Sequence, residues 1–192
     1  MQRLTMTRTA LAMVTMLALT ESGWTQTPPA SAPAATATKS SPTRLARQDE
    51  AFLKQAAENG HAEVEGSKLA ERKATNDKVK AFAKQMIDDH TKAGSELNAL
   101  AASKGVQVPS EPSTAQKGRL KKLEAADGSQ FDQRFADDLG VKAHEDTVKL
   151  FQKAAKDAKD ADVKAWASKT LPTLEQHLQQ ARELKTSVSA RK

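Results

Sequence analysis

The chain contains no cysteine and no tyrosine, and its 192 residues include only five phenylalanines and two tryptophans. Without cysteine there is no disulfide, no thiolate metal ligand, no thiol nucleophile and no lipoprotein attachment site, so an oxidising compartment poses no thiol problem. Aromatic residues are scarce, whereas Ala, Lys, Leu, Glu, Asp and Gln are abundant, which favours helices over strands. No apolar run approaches the roughly 20 residues that a membrane-spanning helix requires; the longest, residues 10–19 (ALAMVTMLAL), has ten. No Ser-His-Asp arrangement, phosphate loop or nucleotide fingerprint is visible, which weighs against a conventional enzyme.

That apolar run follows Arg3 and Arg8 and makes residues 1–26 read as a secretory signal peptide. Residues 27–47 (TPPASAPAATATKSSPTRLAR) read as a linker, with 17 of 21 positions Ala, Pro, Ser or Thr and no acid. The expected location is the bacterial periplasm or cell envelope, with no membrane span after signal cleavage. Net charge must be read with this partition in mind. Five of the 30 basic and one of the 24 acidic residues lie in 1–47, leaving 25 against 23 in the remainder. A nearly neutral domain lacks the concentrated basic face that nucleic acid requires, and the cluster Lys117, Arg119, Lys121, Lys122 reads as a solvated helix surface.

Start and stop signals divide residues 48–188 into four long helices. The first runs over about 48–74 with Asp49 as its cap, and a turn at Thr75 and Asn76 opens the second, which ends before Gly105. Ser113 and Gln116 form a capping box for a short helix ending before Gly128. Ser129 with Asp132 opens the third long helix, to about 158, and Asp160 caps the fourth, to about 186. The connection 105–128 is several times longer than a turn needs and can return along the whole bundle. The expected fold is an all-α, ferritin-like four-helix bundle: two antiparallel hairpins joined by a long crossover containing a short helix, with the second and third long helices parallel.

Three of the four histidines, His90, His144 and His177, fall near the middle of three different long helices, and Glu63 does so in the remaining one. His90 and His177 lie within apolar stripes of period 3.6, and Glu63 falls on the face of Phe52, Leu53 and Ala56. His61 sits at that face's margin. The third long helix carries two stripes, one through Phe131, Phe135, Leu139, Ala143 and Leu150 and another through Val141, Val148, Phe151 and Ala155 that includes His144, so its inward direction is ambiguous. Counted from the helix ends, the four side chains share one layer. Three imidazoles and a carboxylate suit a divalent transition metal. The stronger competing reading is a metal-free buried polar layer in which Glu63 bonds a histidine and fixes helix register. A dinuclear carboxylate centre would want Glu three residues before a histidine, where Ile87 and Leu174 stand.

The segments FLKQAAENGHAEVEGSKLAERKATNDKVKAFAKQMIDDHTKAGSELNALAASKGVQVP, FDQRFADDLGVKAHEDTVKLF and LPTLEQHLQQAREL resemble the exported bacterial family called domain of unknown function 4142 (DUF4142). The resemblance covers about 48–186 and rests on Glu63, the pair Asp89-His90, His144, and LP-x-LE-x-H ending at His177. It implies a ferritin-like bundle in the cell envelope, with some members labelled outer-membrane proteins; alternating strands for a barrel are not evident here. Pro172 inside the fourth helix predicts a kink, read either as accommodation of bundle curvature or as a device aiming His177. Two functions remain: a bundle binding a metal or small ligand at the Glu63, His90, His144, His177 layer, or a non-catalytic module that binds another envelope component.

Overall fold

The computed structural model describes residues 44–190; the signal-peptide reading and most of the linker lie outside these residues. The helices are α1 (Arg47–Lys73), α2 (Asp77–Ser103), α3 (Thr114–Glu124), α4 (Gly128–Arg134), α5 (Ala143–Asp157) and α6 (Ala161–Ser189). Between α4 and α5, Phe135–Lys142 is a π-helix, so 128–157 forms one long helix with an internal change of pitch. No strand occurs among the described residues. Several punctuation marks act as their chemistry dictates. Asn76 caps α2 by accepting from Lys78 N, Ser113 and Gln116 form the capping box, and Asp160 accepts from Asp162 N and Val163 N. Gly105 takes φ +67, a backbone region open to glycine, immediately after α2 ends. The folded part begins slightly before residue 48, because Leu45 is buried in the core.

Two aspartates read as local caps have a different role. Asp49 does not cap α1, whose N-cap Ala46 has no side-chain partner. Its carboxylate instead accepts from Lys159 N (2.9 Å) and Asp160 N (2.8 Å), tying the start of α1 to the α5–α6 turn. Asp132 likewise makes no cap at the start of α4; it accepts from Thr75 N (3.1 Å), Thr75 Oγ1 (2.6 Å) and Asn76 N (3.0 Å), holding the α1–α2 turn at the opposite end. Each hairpin thus satisfies the open backbone donors of the other's turn, and both carboxylates are buried.

These contacts also establish direction. Phe52 meets Phe151 and Thr75 meets Asp132, so α1 and the third long helix are antiparallel. Glu96 meets Lys169 and Asp89 meets His177, so α2 and α6 are antiparallel too. The second and third long helices therefore run parallel, and the crossover carries the chain back. Its helix α3 lies along α1 in the same direction, with Gln116 against Asn59 and Lys73 Nζ on Glu124 O. This is the ferritin-like order with one long connection.

The π-helix explains the two stripes of the third long helix. Ala143 N bonds Asp138 O, five residues back, so the inward positions step from Phe131, Phe135 and Leu139 directly to His144, Val148 and Phe151. An α-helix would follow Leu139 with Ala143; the one-residue expansion turns His144 inward instead. Gly140 permits the close approach of α6 here, because a Cβ on it would meet Ala181 Cβ at 3.2 Å. The helix α6 runs unbroken through Pro172, which is exposed, as is Ser168, whose carbonyl loses its donor. Water on that face can satisfy the carbonyl, so accommodation is sufficient to explain the proline.

Candidate metal centre

The fold brings Glu63, His90, His144 and His177 together at mid-bundle, all of them buried. Each comes from a different long helix. The ring centroids of His90, His144 and His177 form a nearly equilateral triangle of 5.4, 5.6 and 5.6 Å, and one donor nitrogen from each lies within 4.8 Å of the others. Apolar side chains bound the layer; Phe82 lies with its ring centroid 6.4 Å from that of His144.

Every ring has one nitrogen facing an acceptor and one without a partner. His90 Nδ1 lies 2.9 Å from Glu63 Oε2, His144 Nδ1 lies 3.1 Å from Leu139 O, and His177 Nε2 lies 2.9 Å from Asp89 Oδ2. A carbonyl oxygen only accepts, so His144 carries its proton on Nδ1, and the carboxylates favour the corresponding proton on the other two rings. The remaining nitrogens, His90 Nε2, His144 Nε2 and His177 Nδ1, have no hydrogen-bond partner. Seven buried side-chain polar atoms lack partners among the described residues, and four belong to this cluster, the fourth being Glu63 Oε2. The deficit is concentrated at one point of the core.

Glu63 has no lysine or arginine against it. Its Oε1 takes a long contact from Thr147 Oγ1 (3.4 Å), which in turn accepts from Asn59, itself bonded by Gln116 of α3. Its Oε2 is close enough to His90 for a coulombic pair, but the ring N–H is not directed along a hydrogen bond, so the oxygen keeps capacity for a further donor. Burial raises the Glu63 carboxyl, but the surrounding imidazoles, His90 foremost, outweigh it and hold the group at about 2. For His90 burial acts downward, and the Glu63 charge overcomes it, keeping the ring above its ordinary value. For His177 burial prevails despite Asp89, and with the His90 and His144 charges acting the same way the ring falls to about 4.

The three converging nitrogens can hold one metal ion through imidazole alone, with Glu63 and Asp89 outside them. Three nitrogens each about 2.1 Å from one ion would lie about 3.4–3.6 Å apart, so pairs near the 4.8 Å limit would have to close by about 1 Å on loading. Periodicity pointed to the four inward residues but not to Asp89, which is adjacent to His90 and half-exposed. Nor could it point to Leu139 O, since backbone carbonyls have no sequence signature. The tandem Asp-His was the visible signal for Asp89.

Comparison with solved structures supports the fold. The crystal structure of a DUF305 fragment from Deinococcus radiodurans matches with TM-score 0.65 and 12% identity, over 77% of this chain and 99% of that one. A conserved hypothetical protein from Mycobacterium tuberculosis matches with TM-score 0.58 and 19% identity, over 72% of this chain and 91% of that one. No curated protein matches the sequence. The family model described as domain of unknown function (DUF4142) matches residues 34–184, and the chain belongs to that family.

Proposed function

We propose that the bundle binds one divalent transition-metal ion through His90, His144 and His177, with Glu63, Leu139 O and Asp89 orienting the three rings. Two observations support this reading: one nitrogen from each of the three rings lies within 4.8 Å of the others, and each ring keeps one nitrogen without a hydrogen-bond partner while its other nitrogen lies against an oxygen. A single water offers two donors and leaves one of three converging lone pairs unmet, whereas a cation accepts all three. Ligand rings that give their other N–H to a carboxylate or carbonyl are the usual arrangement around a bound metal. Charge agrees: a divalent ion on neutral imidazoles offsets the two carboxylates. Imidazole ligation suits Zn, Cu, Fe or Ni, and three protein ligands leave a coordination position open to an exogenous ligand, as structural sites do not.

The Glu63–His90 ion pair favours a second reading, a metal-free polar layer in which a proton on His90 replaces the ion. Elemental analysis of untagged protein purified from its native compartment separates the two. The metal reading expects close to one equivalent, lost from the His144→Ala and His177→Ala variants; less than a tenth of an equivalent, with no uptake from added Zn²⁺, Cu²⁺, Fe²⁺ or Ni²⁺, overturns it. We further propose export to the periplasm, on the basic residues and ten-residue apolar run that precede the linker. The intact mass of the periplasmic protein should begin between about Gly23 and Ala35, and a full-length mass in the membrane fraction would show an uncleaved anchor instead.

A further inference from the structure

Beside the histidine layer, α1, α2, α5 and α6 border an open pocket of about 320 Å³. Its walls include Leu97, Phe151, Trp166 and Leu174, and Glu63 and Lys68 also line it. The volume lies in the range of small-molecule sites, which are mostly apolar with a few polar groups. Gly60 on α1 and Gly94 on α2 also line it. Glycine inside a helix costs about 1 kcal/mol relative to alanine, and close packing explains that cost at Gly66, where a Cβ would collide with Leu139. At Gly60 and Gly94 a Cβ would meet nothing within 4 Å. These two glycines are not required by neighbouring side chains, and what their missing side chains leave is open space.

Glu63 gives that space a chemical preference. It is 3% exposed, and its Oε2 has only His90 Nδ1 against it, at 2.9 Å, which leaves the oxygen's second lone pair for a further donor. A buried carboxylate oxygen in this state favours a donor and opposes an anion, since a second negative charge in the same low-dielectric site is strongly unfavourable. The walls favour a flat apolar body: the Phe151 and Trp166 centroids are 5.2 Å apart, and Phe52 backs both at 5.1 and 5.8 Å.

We propose that this pocket binds a small neutral aromatic molecule bearing a hydroxyl group, with the ring against Phe151 and Trp166 and the hydroxyl donating to Glu63. The site goes beyond the metal reading and does not depend on an ion. Its test uses the full chain carrying Trp24→Phe, which makes Trp166 the only tryptophan. With phenol as the probe, Trp166 fluorescence should change saturably, with Kd of about a millimolar or tighter. Toluene should bind at least threefold more weakly than phenol, and benzoate should not bind. Gly94→Leu, and Gly60→Val as a second blocking variant, should weaken phenol at least tenfold while leaving metal stoichiometry unchanged. The proposal is overturned by an absent saturable response to phenol, by benzoate binding as well as phenol, or by unchanged phenol affinity in a folded blocking variant. Because phenol is titrated both after chelation and after metal loading, failure here leaves the three-imidazole reading standing.

Discussion

Replacing Glu63 by glutamine preserves the shape of the layer and removes one buried charge. A metal ion beyond His90 Nε2 would lie about 7 Å from the carboxylate that faces Nδ1, across the width of one imidazole. At an effective dielectric constant of about 20, a divalent ion and a carboxylate at that distance interact by about 5 kcal/mol, an upper bound because neither is free of competing solvation. Loss of such an outer partner typically costs 10–100-fold in metal affinity, or about 1.4–2.7 kcal/mol. Thermal unfolding reads this out. An ion held at 100 times its Kd stabilises the folded state by about 2.7 kcal/mol, which for a domain of this size raises Tm by roughly 6–10 °C. In Glu63→Gln the same ion concentration is only about 1–10 times Kd, and the gain falls to about 0.4–1.4 kcal/mol. Calorimetric titration of untagged protein supplies the Kd directly. An unchanged Kd in the variant refutes the electrostatic role of Glu63, and a Tm in wild type indifferent to both chelator and added ion refutes the metal site.

Acid should release the ion in order, since a metal ligand nitrogen must be unprotonated. His90 is held above its ordinary value and competes first, while His177, lowered to about 4, resists protonation until the pH is far lower. Kd should therefore tighten as pH rises through the raised His90 value and then level off; a Kd constant between about pH 5 and 8 would contradict the ligand assignment. At the bundle's end, Asp132→Ala removes the acceptor for three hydrogen bonds and leaves the buried Asn76 N–H unpaired. Urea unfolding should show a loss of about 2–4 kcal/mol, and a loss under about 0.5 kcal/mol would mean that the clamp does not hold the turn.

Much of this architecture was legible because it is written in local chemistry. The Asn76 cap, the Ser113–Gln116 box, the Asp160 cap and Gly105 all mark helix ends through side chains acting within a few residues. The crossover's length and the mid-helix positions of Glu63, His90, His144 and His177 carried the topology and the composition of the polar layer. What the sequence concealed was long-range. Asp49 and Asp132 sit where local caps are expected, but their acceptors serve turns more than 50 residues away. The ambiguity of the third long helix had a definite source: the π-helix Phe135–Lys142 hands the inward face from Phe131, Phe135 and Leu139 to His144, Val148 and Phe151, and no single helical period describes both sets. Asp89 was visible beside His90, but its partner was not, because a residue adjacent to an inward histidine points about 100° away from it, here toward His177 on α6.

The distribution of cost across the molecule follows from this. A wide π-turn, three unpartnered imidazole nitrogens and a carboxylate without a strong cationic partner all lie in the middle third of the bundle, where a core of leucine would be more stable. The ends have the opposite character: two buried aspartates satisfy the turn donors of the opposing hairpins, and Phe52, Phe151 and Trp166 pack together toward one end. A polar layer confined in this way cannot relax by splaying the helices, since each hairpin is tied to the other above and below it. The fold therefore sets the direction of each ring, and only a contraction of the layer is left to a bound ion. On the metal reading, that is the condition under which three separate helices would act as one ligand set.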